Sequence, residues 1–342
     1  MTPRKKDIGC AVVGYGGALN MGRYHATRIN AAPGLATVAA CDTDPARMKA
    51  AAADFPDIAT YTDYGRCLAD PNVDLAVIVT PHNTHAELGL AAIKAGKHVV
   101  LEKPMCLHAA EATEIIEAAR KAGVVLTTFH NRRHDGDFVA MKEVIAKGII
   151  GEVFHAEYYM GFWEPPPKTW RSDKAISGGL LYDWGAHIVD WVLHFIPEKI
   201  ESVFGVFQRR VWMGATNEDQ VQAIIRFAGG KVGDIQLSNV SGAGKPHWRI
   251  LGTKGAIIQE WKPNCEWNDH FKVFTTVGGY PAEMTVRHKQ STWDEWYPNL
   301  AAHLLRGARL EVTPESSRRV IAVIETAGKS AKSGKAEPVP FE

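Results

Sequence analysis

The chain has 342 residues, 46% apolar and 23% charged, the balance of an ordinary globular protein rather than a disordered or fibrous one. Lys and Arg number 39 against 38 Asp and Glu, so the net charge is +1 and no basic stripe is on offer to nucleic acid or an anionic membrane. No run approaches the roughly 18–20 apolar residues of a membrane helix, and the length suits two domains.

In chain order, Asp7–Gly14 reads as a buried strand and Gly22–Ala32 as a helix. Thr37–Asp42 is a strand, and Pro45–Asp54 a helix with Pro45 in its first turn. Asp74–Thr80 and Lys97–Leu101 are strands on either side of a helix, Thr84–Ala95, that stops at Gly96. Ala109–Ala122 is a helix and Val124–Thr128 a strand. This alternation means βαβ units and a parallel sheet covered by helices on both faces. Past residue 130 the rhythm changes. Phe138–Lys147 and Leu180–Phe195 are helical, and Val153–Met160 is a strand. Between Ile200 and Val286 lie short β-rich runs, among them Ser202–Arg210, Gln220–Phe227, Val232–Leu237 and Trp248–Leu251. Gly229-Gly230 between two of them is a hairpin signal. Asn299–Arg306 and Glu315–Ser330 are helical. Phe162–Gly179, with three consecutive prolines, reads as a long ordered loop. All ten tryptophans fall at or after Trp163, which suggests two halves with different tasks.

The N-terminus is basic to Lys6, but the apolar run Ile8–Val13 is too short for a signal peptide. Five cysteines (Cys10, Cys41, Cys67, Cys106, Cys265) form no C-x-x-C pair. They argue against a disulfide framework and a thiolate zinc site, and for a reducing cytoplasm. His82/His85 and His130/His134 have spacings a metal can use. No acidic or cysteine partner completes either set, so no metal is expected.

Gly14-Tyr15-Gly16-Gly17 follows a strand and precedes a helix. Glycines there permit a tight turn and close approach to a pyrophosphate resting on the helix N-terminus. Three further residues, Ala18-Leu19-Asn20, lengthen the turn before Met21-Gly22. Gly14, Gly16, Gly17, Asn20 and Met21 are the candidate phosphate contacts. Asp42 ends the second strand, 20 residues after Gly22. A carboxylate there binds a ribose 2′-hydroxyl and repels a 2′-phosphate, which favours NAD over NADP.

The run Thr80-Pro81-His82-Asn83-Thr84-His85, followed by Ala95-Gly96-Lys97-His98-Val99-Val100-Leu101-Glu102-Lys103-Pro104, resembles the glucose–fructose oxidoreductase/inositol dehydrogenase/MocA (Gfo/Idh/MocA) family. The segment from Ser177 through Asp183-Trp184-Gly185-Ala186-His187 to Asp190 is similar to that family's second signature, and the likeness spans essentially the whole chain. It implies a Rossmann domain over residues 1–129, with a doubly wound parallel sheet. It also implies a C-terminal α+β domain over 130–342 with a large, mostly antiparallel open sheet. NAD(P)-linked chemistry on sugars, cyclitols or related polyols follows, in a homodimer or homotetramer built through that sheet. On this resemblance Thr80, Pro81, His82, Asn83, His85, Glu102 and Lys103 lie by the cofactor. Asn131 matches an Asn-Arg pair, and either Arg132 or Arg133 faces the cleft.

Oxidising a secondary alcohol needs a base for the hydroxyl proton and a nicotinamide to take the hydride. Asp183 and His187, four apart on an expected helix, face the same way, and Asp190 extends that face. His187 is the proton acceptor, since an imidazole titrates near neutrality. Asp183 orients it or bonds a neighbouring hydroxyl. Lys103 donates to the reacting oxygen, and the two basic groups can exchange roles. Trp163, Trp170 and Trp184 offer faces to a sugar ring, and Arg171 can bind its hydroxyls. The leading reading is an NAD-dependent dehydrogenase of a sugar, sugar derivative or cyclitol. A second is redox-neutral glycoside cleavage through transient C3 oxidation, elimination and re-reduction. A third is a non-catalytic NAD-binding regulator.

Overall fold

Short apolar runs, too brief for helices, assemble into a parallel sheet in the computed structural model, which describes residues 7–16, 19–260 and 268–341. The strands are β1 (Ile8–Val13), β2 (Leu35–Cys41), β3 (Ala59–Tyr61), β4 (Leu75–Ile78), β5 (His98–Leu101) and β6 (Leu126–Thr128), in the order β3-β2-β1-β4-β5-β6. Every residue of β4 is buried, as a strand covered on both faces requires. The connecting helices are α1 (Met21–Ala31), α2 (Pro45–Asp54), α3 (Tyr64–Leu68), α4 (His85–Lys94) and α5 (Ala109–Ala122). Side chains set their starts. Asp44 caps α2 by accepting from Ala46 N at 2.8 Å, and Asp63 caps α3 by accepting from Arg66 N at 2.7 Å.

The chain divides into two units. The first takes residues up to Cys106, Ala110–His130 and Asp294–Arg318. That last segment brings a late helix into the first unit, where Trp296 meets Phe129 at 4.7 Å between ring centroids.

The second unit takes Leu107–Ala109, Asn131–Trp293 and the chain from Arg319 onward. Its eight strands are β7 (Val153–Gly161), β8 (Ile200–Gln208), β9 (Gln220–Phe227), β10 (Val232–Ser238), β11 (Trp248–Gly252), β12 (Gly255–Gln259), β13 (His270–Val277) and β14 (Tyr280–Arg287). Their order is β14-β13-β12-β11-β7-β10-β9-β8, and only β7 and β10 pair in parallel. One face buries Tyr158, Ile250, Ile225 and Ile257 with Trp191 and Phe138 from helices. The expected loop 162–179 holds only a 3₁₀ turn at Trp170–Ser172 and a one-turn helix, α7 (Lys174–Ser177), with α6 (Gly136–Ala146) earlier in the chain. Among the described residues no helix is long and apolar enough to cross a membrane.

The single helix expected over Leu180–Phe195 is two: α8 (Leu180–Asp183) and α9 (Gly185–Phe195). Trp184 between them keeps right-handed dihedrals, but His187 N bonds to the Trp184 carbonyl at 3.0 Å, a three-residue step that tightens the junction. A Cβ on Gly185 would lie 2.6 Å from Leu181 Cδ1, so a larger residue there would displace the Leu181 side chain. Two late helices follow, α10 (Trp296–Arg306) and α11 (Pro314–Ser333).

Candidate active site

In the first unit, the candidate cofactor residues gather at the C-terminal ends of the strands. β1 sits between β2 and β4, where the strand order reverses, and this crevice is where doubly wound sheets bind ligands. Gly14 has φ +94°, and a Cβ there would stand 2.9 Å from the Val79 carbonyl, so no larger residue fits. Gly16 has nothing within 4 Å of its missing Cβ, leaving the backbone open to close approach. Asn20, in the left-handed region at φ 50°, turns the chain into α1 at Met21. A Cβ on Gly22 would lie 2.8 Å from the Gly14 carbonyl. Gly22 therefore seats the helix on the turn, the task of the third glycine in the usual spacing, even though the loop is longer. Gly17 lies outside the described residues.

Asp42 follows β2. Its Oδ2 accepts from Tyr15 N at 2.7 Å and its Oδ1 from Asp44 N at 3.0 Å. The carboxylate thus ties the glycine turn to the end of β2 while staying half-buried, with lone pairs left for a ribose. Open backbone at Gly16, the helix seat at Gly22 and this carboxylate together fit a dinucleotide without a 2′-phosphate.

After β4, Thr80 and Pro81 are half-buried and Asn83 is exposed. Thr80 Oγ1 and Thr84 Oγ1 lie 2.6 Å apart, and Thr84 Oγ1 donates to the Pro81 carbonyl at 2.7 Å. His85, expected beside the cofactor, instead lies behind this loop. It is wholly buried, with Nδ1 2.8 Å from the Pro104 carbonyl and Nε2 2.9 Å from the Thr80 carbonyl. Burial pushes its imidazole below the ordinary range, against the pull of those two carbonyls. It braces the β4 loop against the turn after Lys103. His82 is also buried and meets His85 edge-on at 5.9 Å between ring centroids. Glu102 and Lys103 follow β5, half-buried, and the Lys103–Pro104 peptide is cis.

In the second unit, α8 and α9 carry the other signature. Asp183 is held by Arg171, Nη1 to Oδ1 at 2.6 Å, and the Arg171 guanidinium lies 4.8 Å over the Trp170 ring. Trp184 meets His187 edge-on at 6.1 Å. On the Trp184 ring lies Arg132, 4.5 Å away, which also approaches Trp293 at 5.4 Å and pairs with Asp135 at 2.9 Å. Asn131 opens this turn, half-buried. A cavity of about 260 Å³ opens beside it, walled by Arg132, Asp135, His288 and Trp293 among others. Trp163 is 58% exposed and packs edge-on to Trp212.

The two arginines differ in burial. Arg133 is locked in a bidentate pair with Asp190, Nε to Oδ2 at 2.8 Å and Nη2 to Oδ1 at 2.6 Å. Asp190 is therefore committed to the interior of α9 and does not extend the Asp183/His187 face.

The sequence reading overlooked the anchors of the tryptophan loop. Asn217 Nδ2 donates to the Arg171 carbonyl at 2.6 Å, Lys174 N donates to Thr216 Oγ1 at 2.7 Å, and Lys174 pairs with Glu218. Asp219 is buried and accepts from the backbone N–H groups of Arg210, Val211 and Trp212. Burial acts to raise its carboxyl, but those N–H groups prevail and hold it below the usual range. The available signal was the run Asn217-Glu218-Asp219 between two strands, polar residues in a place where a plain turn would do. Among the described residues no group of three or more His, Cys, Asp or Glu is arranged to hold a metal.

A Rossmann unit with an acidic β2 terminus, joined to an α+β unit bearing the Asp183/His187 signature, defines an NAD-binding oxidoreductase. The model of the oxidoreductase family's NAD-binding Rossmann fold matches residues 8–130, and that of the GFO/IDH/MocA C-terminal domain matches 138–258. The chain belongs to the Gfo/Idh/MocA family. It is 28% identical to the oxidoreductase YdgJ of Escherichia coli K12, over 95% of this chain and 97% of that protein. It is 29% identical to scyllo-inositol 2-dehydrogenase (NADP(+)) IolW of Bacillus subtilis, over 82% of each. Among solved structures, the B. subtilis oxidoreductase yvaA superposes with a TM-score of 0.88 at 26% identity, over 98% of this chain and 99% of that one.

Proposed function

We propose that this protein oxidises a secondary alcohol of a sugar, sugar derivative or cyclitol with NAD. The observation that carries the reading is the make-up of the second unit's signature. An imidazole, His187, lies at the edge of an aromatic face, Trp184, with an Arg171–Asp183 pair on the helix turn before it. Aromatic faces and paired polar groups are what a hydroxylated ring needs, and the likeness to a scyllo-inositol dehydrogenase supports the same class.

When bound, NAD supplies the hydride acceptor. Gly14, Gly16 and the start of α1 bind the pyrophosphate, and Asp42 accepts from the ribose hydroxyls. His187 accepts the alcohol proton, Lys103 donates to the reacting oxygen, and Asp183, held by Arg171, bonds a neighbouring hydroxyl. Asn131, Trp170 and Trp184 flank the ring. The near-neutral net charge and the buried thiols of Cys10, Cys41, Cys67 and Cys106 support a cytoplasmic enzyme acting on a neutral polyol. A homodimer or homotetramer forms through the eight-stranded sheet.

The test is a panel of cyclitols, monosaccharides and aryl glycosides, offered with NAD and with NADP, reading NADH and aglycone together. NADH should accumulate with at least one cyclitol or sugar. His187→Ala should lower kcat by about 10²–10⁴-fold. Asp42→Ala should weaken NAD by about tenfold or more and narrow its advantage over NADP. Aglycone release without net NADH sinks the dehydrogenase reading, and a wild-type preference for NADP sinks the role of Asp42.

A further inference from the structure

Within the first unit, Glu102 closes a buried chain of hydrogen bonds that no local sequence pattern announces. Its Oε1 lies 2.9 Å from His25 Nε2, and its Oε2 accepts from Lys103 N at 2.9 Å. His25 Nδ1 lies 2.6 Å from Tyr297 Oη. His25 is wholly buried and Tyr297 is 1% exposed. The three residues come from the end of β5, from α1 and from α10, so one chain of contacts joins elements distant in sequence.

Charge fixes the proton positions. Burial acts to raise the Glu102 carboxyl, but its bond to His25 and the charges around it win, and the group sits below the usual range. Glu102 is therefore an anion that only accepts. Burial holds the Tyr297 phenol well above its ordinary value, so it keeps its proton. His25 Nε2–H donates to Oε1, its Nδ1 is bonded to the Tyr297 hydroxyl, and Lys103 N–H donates to Oε2. Glu102 is thus held on both oxygens, one by His25 and one by the peptide of Lys103. The other titratable groups in range are Tyr24 on α1, Cys10 on β1 and His85 on α4.

A buried carboxylate is costly unless it is paired, and an apolar packing of similar volume often serves stability as well or better. Here the neighbours are already aromatic: Phe129 lies 4.5 Å from His25, ring to ring. Packing alone gives no reason for an acid at this place.

We propose that His25 and Tyr297 are positioning residues for Lys103. Acting through Glu102, they fix the lysine's peptide and with it the start of its side chain. The inference rests on the reading that Lys103 takes part in the chemistry, but its test does not.

The test is the rate at which acetic anhydride acetylates Lys103 in the full chain at mildly alkaline pH. Peptide mass spectrometry reads it, with exposed Lys49 as the internal reference. Glu102→Gln and His25→Asn should each change the Lys103 rate by about threefold or more, because the bonds that fix the lysine's peptide are broken. Tyr297→Phe should change it less. In His25→Gln the amide reaches the Nε2 position and still donates to Glu102, so the rate should stay within about twofold of the wild type. Circular dichroism and NAD binding identify any variant that has not folded. Equal Lys103 rates in all folded variants overturn the proposal, as does a His25→Gln rate equal to that of His25→Asn. Turnover of Lys103→Ala is read separately: full activity there overturns the role of the lysine and leaves the labelling result standing.

Discussion

Asp135 shows what a single residue can store. Its carboxyl is pushed up to about 6, by burial first and by the charge of Asp137, against Arg132 and the Trp293 indole N–H at 2.5 Å. The unfolded value is about 3.9, so the folded state holds the proton more tightly. The stability from that proton is fully present below about pH 4 and is lost as pH rises through about 6, a swing of at most about 3 kcal/mol. Asp135→Asn keeps an oxygen for Trp293 and Arg132 but cannot titrate. The variant should therefore lose the wild type's decline over this window, read from the second unit's denaturation midpoint at several pH values. Parallel curves would refute the assignment. At this scale the sequence was legible where a local conformation demands a residue type: Gly14 and Gly22 of the turn, and the Asp42 carboxylate that ties that turn to β2. It was illegible where function depends on a partner far along the chain. His25 and Tyr297 are 272 positions apart, and nothing local to either names the other.

At the scale of elements, hydrophobic periodicity found the buried strands of the parallel sheet and most helices, and it missed β3 and α3 and gave no bounds to β12, β13 and β14. β3 has three residues and α3 five, too few for a period to register. The break between α8 and α9 was also invisible, because Trp184 keeps helical dihedrals and only the hydrogen-bond step changes. Glycine inside a strand carries a different message. Gly205 lies in the middle of β8, and a Cβ there would collide with the carbonyl of Ala327 on α11. The helix rests directly on the strand's backbone. Gly205→Ala should therefore push α11 outward and cost about 1–3 kcal/mol, or more if the helix cannot shift. Gly214→Ala is the control, since nothing lies within 4 Å of that position. Urea midpoints followed by tryptophan fluorescence distinguish the two. Equal midpoints would mean that α11 moves freely.

For the whole molecule, the tryptophan asymmetry was a useful clue to two units, yet Trp296 returns to the first one and packs its core. A linear boundary cannot express that return. The second unit raises the question of its open sheet face. The ladder across it runs Phe204, Ile224, Asp234, Glu157, Arg249, Ile258, Lys272, one residue from each of seven strands. Lys245 meets Glu157 at 2.5 Å and Arg249 approaches it at 3.7 Å, so the centre is charged and neutralised, with Phe204 and Ile224 on one side and Ile258 before Lys272 on the other. Burial raises the Asp234 carboxyl, the mark of a group already short of water. On the proposal that copies associate through this face, a two-fold axis brings an apolar zone of one copy against that of another. The wild type should sediment as a dimer or tetramer. Ile224→Arg with Ile258→Arg should shift it to monomer with its far-ultraviolet dichroism unchanged, since both side chains point away from the core. If the wild type is a monomer, or if the double variant keeps its mass, then the face is used for something other than self-association.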